Sequence, residues 1–303
     1  MPAIALLFPG QGAQQVGMGG PLAQRCDAAR DLYDRASAVL GYDLLELCQT
    51  GPAEKLNETH YSQPALLVHS LAALAELQQN KPNLMADVVA VAGLSLGEYT
   101  AVAAAGGLKF EDAVRLVKQR GEAMQAAADM VRSGMASVIG LDHEKLNGVC
   151  EEARKPGEVL QVANLLCPGN IAISGHVDSL AAAEPLATAA GAMKTVRLAV
   201  AGAFHTELMA PAVGKLQQAL ADTTIESTQI AVYSNVDAQP HRDAGDFKGL
   251  LARQVVNPVL WEASLRAMLA QGVELFYEVG SGRVLSGTLK RIDRKAACEC
   301  FGD

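Results

Sequence analysis

The stretch Val88–Thr100, with the sequence VVAVAGLSLGEYT, decides the fold class of this chain. Its five apolar residues Val88–Ala92 predict a strand that is buried on both faces, as strands of parallel sheets are. The turn Gly93–Gly97 follows at once and leads into a helical run of small residues. A strand, a tight turn and a helix in direct succession are typical of α/β proteins. We therefore expect an α/β protein with a parallel sheet.

Ser95 is the residue of this turn that can carry chemistry. In a G-x-S-x-G pattern the two glycines let the backbone double back without a Cβ clash, which exposes the serine hydroxyl. The pattern occurs by chance in many proteins, but here the strand before it and the helix after it are present. We predict that Ser95 is a nucleophile. The alternative is a helix N-terminus without chemistry.

The same alternation of short apolar runs and helical runs continues on both sides of this stretch. Ile4–Phe8 predicts a first strand, and Pro64 is predicted to begin a helix because a missing N–H costs nothing in the first turn. Downstream, further strands and helices alternate: strands at Ile230–Ser234 and Glu274–Val279, and helices at Trp261–Gln271 and Val284–Ile292.

The middle third of the chain has a different order of elements. The predicted strands are Met135–Ile139, Val159–Asn164, Ile171–Ser174 and Lys194–Val200, and the predicted helices are Asp142–Glu152 and Val177–Ala190. This βαββαβ order is that of ferredoxin-like domains. We expect a small inserted ferredoxin-like subdomain at 134–200, and a large α/β-hydrolase-like domain formed by 1–133 and 201–303.

Composition excludes several classes of protein. The chain of 303 residues is 50% hydrophobic and 19% charged, which excludes intrinsic disorder and allows a large core. A formal net charge of −8 argues against a nucleic-acid binder. No apolar run reaches the length of about 18 residues that a membrane-spanning helix needs. The six cysteines are scattered, as in reducing compartments, and Cys298 and Cys300 are expected in a C-terminal strand.

A serine nucleophile needs a base, and the chain has six histidines. His205 follows directly after the predicted insert, where the chain re-enters the large domain, and clefts form at domain junctions. The other histidines are expected to be packed, capping or solvated. His205 is therefore the candidate base, with an expected pKa near the reference of about 6.5. No aspartate that could complete a triad is identifiable.

Two further features leave alternatives open. The loop Gly10–Gln15 fails as a dinucleotide fingerprint because Gln15 stands at the third glycine position. Its backbone N–H groups could stabilise an oxyanion, or the loop is an ordinary turn.

Arg120 falls on or beside the buried stripe of a helix, and a buried arginine needs an anion from the protein or from a ligand.

Five motifs occur in this order along the chain: Phe8–Gln14 (FPGQGAQ), Gly93–Tyr99 (GLSLGEY), Gln119–Gly121 (QRG), Phe204–His205 (FH) and Arg253–Pro258 (RQVVNP). Together they closely resemble the malonyl-CoA:acyl carrier protein transacylases of type II fatty acid synthesis. The resemblance covers essentially the whole chain.

The resemblance implies a ping-pong transfer. Ser95 attacks the thioester of malonyl-CoA, and the pantetheine thiol of acyl carrier protein then takes the malonyl group from the enzyme. His205 matches the family's base, and Gln254 matches the residue whose main-chain carbonyl orients it. The backbone N–H groups of Gln11 and Leu96 match the oxyanion hole.

The resemblance also implies a substrate pocket and a partner surface. Arg120 matches the residue that pairs with the free carboxylate of malonate, and Met124, Phe204 and Asn164 are placed in the same pocket. The Phe-His pair resembles malonyl-specific acyltransferase domains, where the ring limits space at the acyl α-carbon. The carrier-protein patch is expected at Lys194, Lys290 and Arg291. No metal, no resident cofactor, no nucleic acid and no membrane insertion are expected, and the protein is expected to be a monomer.

Two positions depart from the family, because Leu94 replaces a histidine and Leu260 replaces a glutamine. Neither change removes a proposed catalytic group. Three segments look most like plastid enzymes of plants and algae: Gly93–Thr100, Asn164–Asn170 and Ala199–Thr206. We therefore expect a mature chain of the chloroplast stroma without its transit peptide, with the bacterial cytoplasm as the alternative.

Other functions compete with this interpretation. A serine hydrolase or thioesterase would use the same elbow, although it would not need a cation facing the acyl group. A transacylase of a polyketide or malonate decarboxylase system would share all the motifs. A non-catalytic scaffold of a synthase complex would not need the complete set of Ser95, His205 and Arg120.

Overall fold

The computed structural model describes residues 2–302. Its strands are β1 Ile4–Phe8, β2 Val88–Gly93, β3 Ser133–Ile139, β4 Leu160–Cys167, β5 Asn170–His176, β6 Lys194–Arg197, β7 Ala231–Tyr233, β8 Pro240–His241, β9 Leu275–Val279 and β10 Ala297–Phe301. Its α-helices are α1 Gly20–Arg25, α2 Asp27–Leu40, α3 Leu44–Thr50, α4 Ala53–Asn57, α5 Thr59–Asn80, α6 Leu84–Asp87, α7 Leu96–Ala104, α8 Phe110–Asp129, α9 His143–Ala153, α10 Val177–Ala189, α11 Ala210–Asp222, α12 Ala244–Gln254, α13 Trp261–Ala270 and α14 Val284–Ile292.

The larger sheet has the strand order β10-β9-β1-β2-β7-β8, and all pairs except β7–β8 are parallel. Alternate residues of β1 belong to two different core clusters: Leu6 lies in one and Leu7 in the other. Helices therefore cover both faces of this sheet, which explains why β1 and β2 read as unbroken apolar runs. This confirms the predicted α/β class.

The smaller sheet has the order β4-β5-β3-β6 with antiparallel pairs. Together with α9 and α10 it has a core of its own. The order of elements is the ferredoxin-like one that the sequence predicts. Its strands extend from Ser133 to Arg197, whereas the predicted last strand continued to Val200.

The start of α5 differs from the prediction. The helix begins at Thr59, so Pro64 lies inside it and does not begin it. Proline removes one helical hydrogen bond, but tertiary packing can outweigh such a loss. Here a Cβ on Gly121 of α8 would lie 2.8 Å from the carbonyl oxygen of Thr59. The first turn of α5 is therefore held by close contact with α8.

Two further expectations concern membrane-spanning helices and the C-terminal cysteines. Within residues 2–302, no helix is long and apolar enough to span a bilayer. Cys298 and Cys300 lie on β10, as predicted, and both are free thiols.

The strands β1 and β2 end side by side, since Phe8 pairs with Gly93. In parallel sheets the loops that follow the carboxyl ends of neighbouring strands meet and form ligand sites. The first loop and the Ser95 turn therefore lie together at this edge.

Candidate active site

Ser95 stands in a sharp turn between β2 and α7, with φ 53° and ψ −101°. A Cβ on Gly93 would lie 1.9 Å from the main-chain carbon of Gly97, and a Cβ on Gly97 would lie 2.1 Å from the carbonyl oxygen of Phe8. Only glycine fits at both positions, so the two glycines allow the strained turn. The turn has the geometry of a nucleophile elbow.

His205 contacts Ser95 directly. Its Nε2 lies 2.9 Å from Oγ of Ser95, and its Nδ1 lies 2.8 Å from the main-chain carbonyl oxygen of Gln254. A carbonyl oxygen can only accept, so Nδ1 carries the proton and Nε2 is free to accept the serine proton. The orienting group is thus a main-chain atom, which leaves no side-chain pattern that could be found as a triad aspartate.

Burial lowers the pKa of His205 from its ordinary value of 6.5 to about 4. The side chain is 2% exposed, and the positive charge of Arg120 lowers the pKa further. His205 is therefore neutral at physiological pH, and its pKa lies below the value of about 6.5 that the sequence suggested.

Arg120 brings a buried positive charge to the nucleophile. Its Nη2 donates to Oγ of Ser95 at 3.1 Å and to the side-chain oxygen of Gln254 at 2.8 Å, and its guanidinium lies 5.0 Å from the ring centre of Tyr99. Its Nε is buried without a hydrogen-bond partner. Arg120 takes part in none of the salt bridges among residues 2–302, although the charge of the nearby Glu98 partly opposes the lowering of the Arg120 pKa by burial. The geometry favours an anion supplied by a ligand over one supplied by the protein.

Glu98 and Asn235 complete a buried polar network that the sequence analysis did not identify. The carboxylate of Glu98 accepts from the main-chain N–H of Asn235 at 3.1 Å and from the side-chain amide of Gln254. That amide also donates to the main-chain oxygen of Ser95 at 2.9 Å. Burial raises the pKa of Glu98 to about 7. Asn235 follows the carboxyl end of β7, and this position is the signal that could have identified it.

Gln11 and Leu96 belong to the two segments that meet at Ser95. A Cβ on Gly10 would lie 2.3 Å from the carbonyl oxygen of Leu94, so the first loop touches the elbow with its backbone. Leu96 is the first residue of α7, where helical N–H groups have no partner within the helix. The side chain of Gln14 accepts from the N–H of Gly12 at 2.7 Å, which fixes the loop. Both predicted oxyanion donors therefore lie in segments that border Ser95.

The three predicted pocket residues come from different elements. Met124 follows Arg120 by one turn of α8 and is 1% exposed, and its sulfur accepts from Gln63 at 3.6 Å. Phe204 precedes His205 and is 4% exposed. Asn164 lies on β4, and its side-chain oxygen is buried without a hydrogen-bond partner.

The predicted carrier-protein patch lies where the small sheet approaches α14. Lys290 and Arg291 are exposed in the last turn of α14, and with Arg294 they line a cavity of about 310 Å³. Met193, which directly precedes β6 of the small sheet, lines the same cavity, and the exposed Lys194 begins that strand. The three predicted cations therefore border one surface.

Leu94 is a packing residue in this chain. Its side chain is partly buried against the cluster that contains Trp261, and its main-chain N–H donates to Phe8 at 3.0 Å. The backbone contacts of the elbow therefore do not depend on a histidine at this position.

Comparisons with known proteins agree with this geometry. Residues 5–297 match the acyl transferase domain family. The chain is 41% identical over 295 residues to the malonyl CoA-acyl carrier protein transacylase of Bacillus subtilis, covering 97% of this chain and 92% of the relative. It is 43% identical over 302 residues to the human mitochondrial malonyl-CoA-acyl carrier protein transacylase, covering 96% of this chain and 77% of the relative.

Two solved structures are also similar. The malonyl CoA-acyl carrier protein transacylase of Coxiella burnetii superposes with a TM-score of 0.95 at 37% identity, covering 100% of this chain and 95% of that one. A malonyl-transacylase in complex with a type II polyketide acyl-carrier protein superposes with a TM-score of 0.94 at 38% identity, covering 99% and 96%.

Proposed function

This chain belongs to the family of malonyl-CoA–acyl carrier protein transacylases, and from that membership we propose how its residues move the malonyl group from malonyl-CoA to acyl carrier protein. One observation supports the proposal most directly. Oγ of Ser95 lies within hydrogen-bond distance of both the base His205, at 2.9 Å, and the cation Arg120, at 3.1 Å. A nucleophile, a base and a site for the substrate's carboxylate thus meet at one atom.

In the first half-reaction, Nε2 of His205 accepts the proton of Ser95 while Oγ attacks the thioester carbonyl of malonyl-CoA. The negative charge that develops on the carbonyl oxygen is stabilised by the N–H groups of Gln11 and Leu96. When the tetrahedral intermediate collapses, the C–S bond breaks, and the thiol of CoA leaves with the proton from His205. The product is a malonyl ester on Ser95.

In the second half-reaction, the pantetheine thiol of the carrier protein attacks the same ester. His205 accepts the thiol proton and returns it to Oγ of Ser95 as the C–O bond breaks. The base thus serves both halves, and CoA leaves before the carrier protein reacts. The exchange needs only a nucleophile, a base and an oxyanion hole, so the proposal includes no metal and no resident cofactor.

Arg120 gives the reaction its preference for a dicarboxylic acyl group. Within residues 2–302 its buried guanidinium forms no salt bridge, and the free carboxylate of the malonyl group would supply a directly bound anion through charge-assisted hydrogen bonds. Because Arg120 donates to Ser95, that carboxylate would be held beside the atom that reacts. Orientation of this kind lowers the barrier to acyl transfer.

The experiment that tests this proposal is the intact mass of the protein after incubation with malonyl-CoA, with and without acyl carrier protein. The proposal expects one malonyl group on the protein alone, and its transfer to the carrier when the carrier is added. Release of free malonate at the same rate with and without carrier would instead identify a hydrolase. A protein that gains no malonyl group would be a scaffold.

A polyketide carrier is a second candidate partner, because one similar structure is a malonyl-transacylase bound to a type II polyketide acyl-carrier protein. The carrier of fatty acid synthesis is the first candidate, since the relatives are named malonyl CoA-acyl carrier protein transacylases. Comparison of kcat/KM for the two carriers distinguishes them. The carrier surface is proposed at Lys194, Lys290 and Arg291, and the protein is proposed to act as a monomer.

The proposed location is the chloroplast stroma. It rests on the sequence of the elbow and of two other segments, Asn164–Asn170 and Ala199–Thr206. The relatives reported above come from a bacterium and from mitochondria, so a bacterial source is the alternative. Fractionation of the source cells with an antibody against this protein tests the location, because the plastid proposal expects the signal in the stromal fraction.

A further inference from the structure

Asn235 lies two residues beyond the end of β7, where the chain no longer pairs with β2. The register pairs Ala92 with Tyr233, so Asn235 stands beside the elbow at the level where β2 turns away. The residue is completely buried. None of the roles derived above for the nucleophile, the base or the cation uses its side chain.

The side-chain amide of Asn235 binds the elbow on both sides of Leu94. Its Oδ1 accepts from the main-chain N–H of Ser95 at 2.7 Å, and its Nδ2 donates to the carbonyl oxygen of Gly93 at 2.8 Å. One side chain therefore replaces the strand-to-strand hydrogen bonds that are lost where the ladder ends.

The backbone of Asn235 is fixed as firmly as its side chain. Its N–H donates to the carboxylate of Glu98 at 3.1 Å, and its carbonyl oxygen accepts from the N–H of Leu260 at 2.8 Å. Since every polar group of this residue has a partner, its amide has one orientation, with the oxygen toward Ser95 and the nitrogen toward Gly93.

The elbow needs such a restraint. Ser95 has a φ of 53°, which non-glycine residues rarely adopt and which persists only where the surroundings enforce it. The N–H of Ser95 lies between a strand and a helix, so neither element supplies an acceptor for it. The acceptor is the side chain of Asn235, and the same bond fixes the backbone from which Oγ projects.

We infer that Asn235 is a positioning residue for acyl transfer. Its amide holds the backbone on both sides of the nucleophile, so that Oγ of Ser95 stays within reach of His205 and the N–H of Leu96 stays directed at the oxyanion. The inference rests on the proposed role of Ser95. A displacement of about 1 Å at a reacting atom costs on the order of 100-fold in rate.

Only asparagine can form both hydrogen bonds of this clamp, by which we mean the side-chain amide of Asn235 accepting from Ser95 and donating to Gly93. Aspartate has the same shape and accepts from Ser95, but it cannot donate to Gly93 and brings a second carboxylate next to Glu98. Serine is uncharged, but its hydroxyl is too short to bind both groups at once. The two variants Asn235→Asp and Asn235→Ser therefore break the clamp in different ways.

The test measures how fast the full-length protein forms its malonyl ester in single-turnover reactions at several concentrations of malonyl-CoA. Both Asn235 variants are expected to slow the maximal rate by about 100-fold. The malonyl-CoA concentration at half-maximal rate should change by less than about threefold, because substrate contacts are intact. Asn83→Asp, an exposed asparagine at the start of α6, is the matched control and should keep the full rate.

Three results would overturn the inference. One is a maximal rate within about threefold of the unaltered protein in both variants. Another is a loss that equals the loss of folded protein, measured by circular dichroism, and this includes failure of both variants to fold. The third is an unchanged maximal rate with a raised half-maximal concentration.

Ser95→Ala, measured in parallel, separates this inference from the proposed function. If that variant still transfers malonyl groups, the proposed nucleophile is wrong. If it is inactive while both Asn235 variants form the ester normally, only the inference about Asn235 fails.

Discussion

Nη2 of Arg120 lies 3.1 Å from Oγ of Ser95, so the buried cation and the nucleophile are in direct contact. In a malonyl group one methylene separates the free carboxylate from the carbonyl carbon that reacts. A site in which the cation adjoins the nucleophile therefore suits a short dicarboxylic acyl group. The same nitrogen also donates to the side-chain oxygen of Gln254 at 2.8 Å, which holds the guanidinium in this position before substrate arrives.

Arg120→Ala is expected to impair malonyl transfer much more than acetyl transfer. The loss for malonyl-CoA should be about 1.5–3 kcal/mol, the scale of a charge-assisted hydrogen bond. Acetyl-CoA has no carboxylate, so its transfer should change little. Arg120→Lys should restore malonyl transfer poorly, because a point charge does not reproduce the planar guanidinium. The measurement is kcat/KM for both thioesters, and equal losses would show that Arg120 is structural.

Ser95→Ala is expected to abolish the malonyl-enzyme and to reduce turnover by roughly 10⁴-fold or more. His205→Ala should cost a similar factor, because the serine loses its base. The double variant should be no slower than either single variant, since the two residues act as one unit. Steady-state rates of the three variants check this. Near-normal turnover in Ser95→Ala would contradict the mechanism.

Protonation of His205 should lower the rate only as the pH drops through about 4. A change of rate near pH 7 would belong to Glu98, whose pKa burial raises to about 7. The sign follows from burial, which disfavours the charged imidazolium, so the base stays neutral below its ordinary pKa of 6.5. The measurement is the single-turnover rate of ester formation against pH. The control is His241→Gln, because His241 lies on the edge strand β8 and is paired with Asp237 and Asp246.

A midpoint near 6.5 that persists in Glu98→Gln would contradict the lowered pKa of His205. Stability should also depend on this group. Because the unfolded chain binds a proton below about 6.5 and the folded chain only below about 4, the contribution of His205 is lost as the pH falls between these values.

The elbow and the base differ in how far the sequence could predict them. Gly93, Ser95 and Gly97 are neighbours in the chain, so local sterics are sufficient to predict the turn. The partner of His205 is a main-chain carbonyl, which every residue has, and only the resemblance to a family indicated Gln254. Asn235 lies 140 positions from Ser95, and their hydrogen bond exists only because β7 pairs with β2.

In the fold, too, features set by neighbouring residues could be predicted from the sequence, and features set by contacts between distant residues could not. The apolar runs of β1 and β2 predicted the parallel sheet, because burial on both faces leaves a periodicity that the sequence displays. The predicted start of α5 was wrong. The preference of proline for the first turn of a helix is a local effect, whereas the contact of Gly121 with Thr59 joins two helices. Local rules therefore predicted the element types, and tertiary contacts decided the boundary.

Charge reversal of Lys290 and Arg291 should raise KM for acyl carrier protein and leave the reaction with malonyl-CoA unchanged. The resemblance implies an acidic carrier protein, and this chain has a net charge of −8, so local cations are expected to offset the repulsion. The measurement compares the two half-reactions separately. The matched control reverses Arg30 and Lys215, two exposed cations on α2 and α11. Equal damage to both half-reactions would assign the patch to folding or to CoA.

Phe204→Ser is expected to raise methylmalonyl transfer relative to malonyl transfer while the protein stays folded. Phe204 is 4% exposed and directly precedes the base, so its ring is expected to limit the space at the acyl α-carbon. An extra methyl group in a filled site costs roughly 1–3 kcal/mol, which corresponds to a preference for malonyl of about 10- to 200-fold. The measurement is the ratio of kcat/KM for the two thioesters. Phe276→Ser, at a buried ring in β9 on the other core cluster, controls for lost packing. If the ratio stays constant and only the melting temperature falls, Phe204 stabilises the core and other residues set the selectivity.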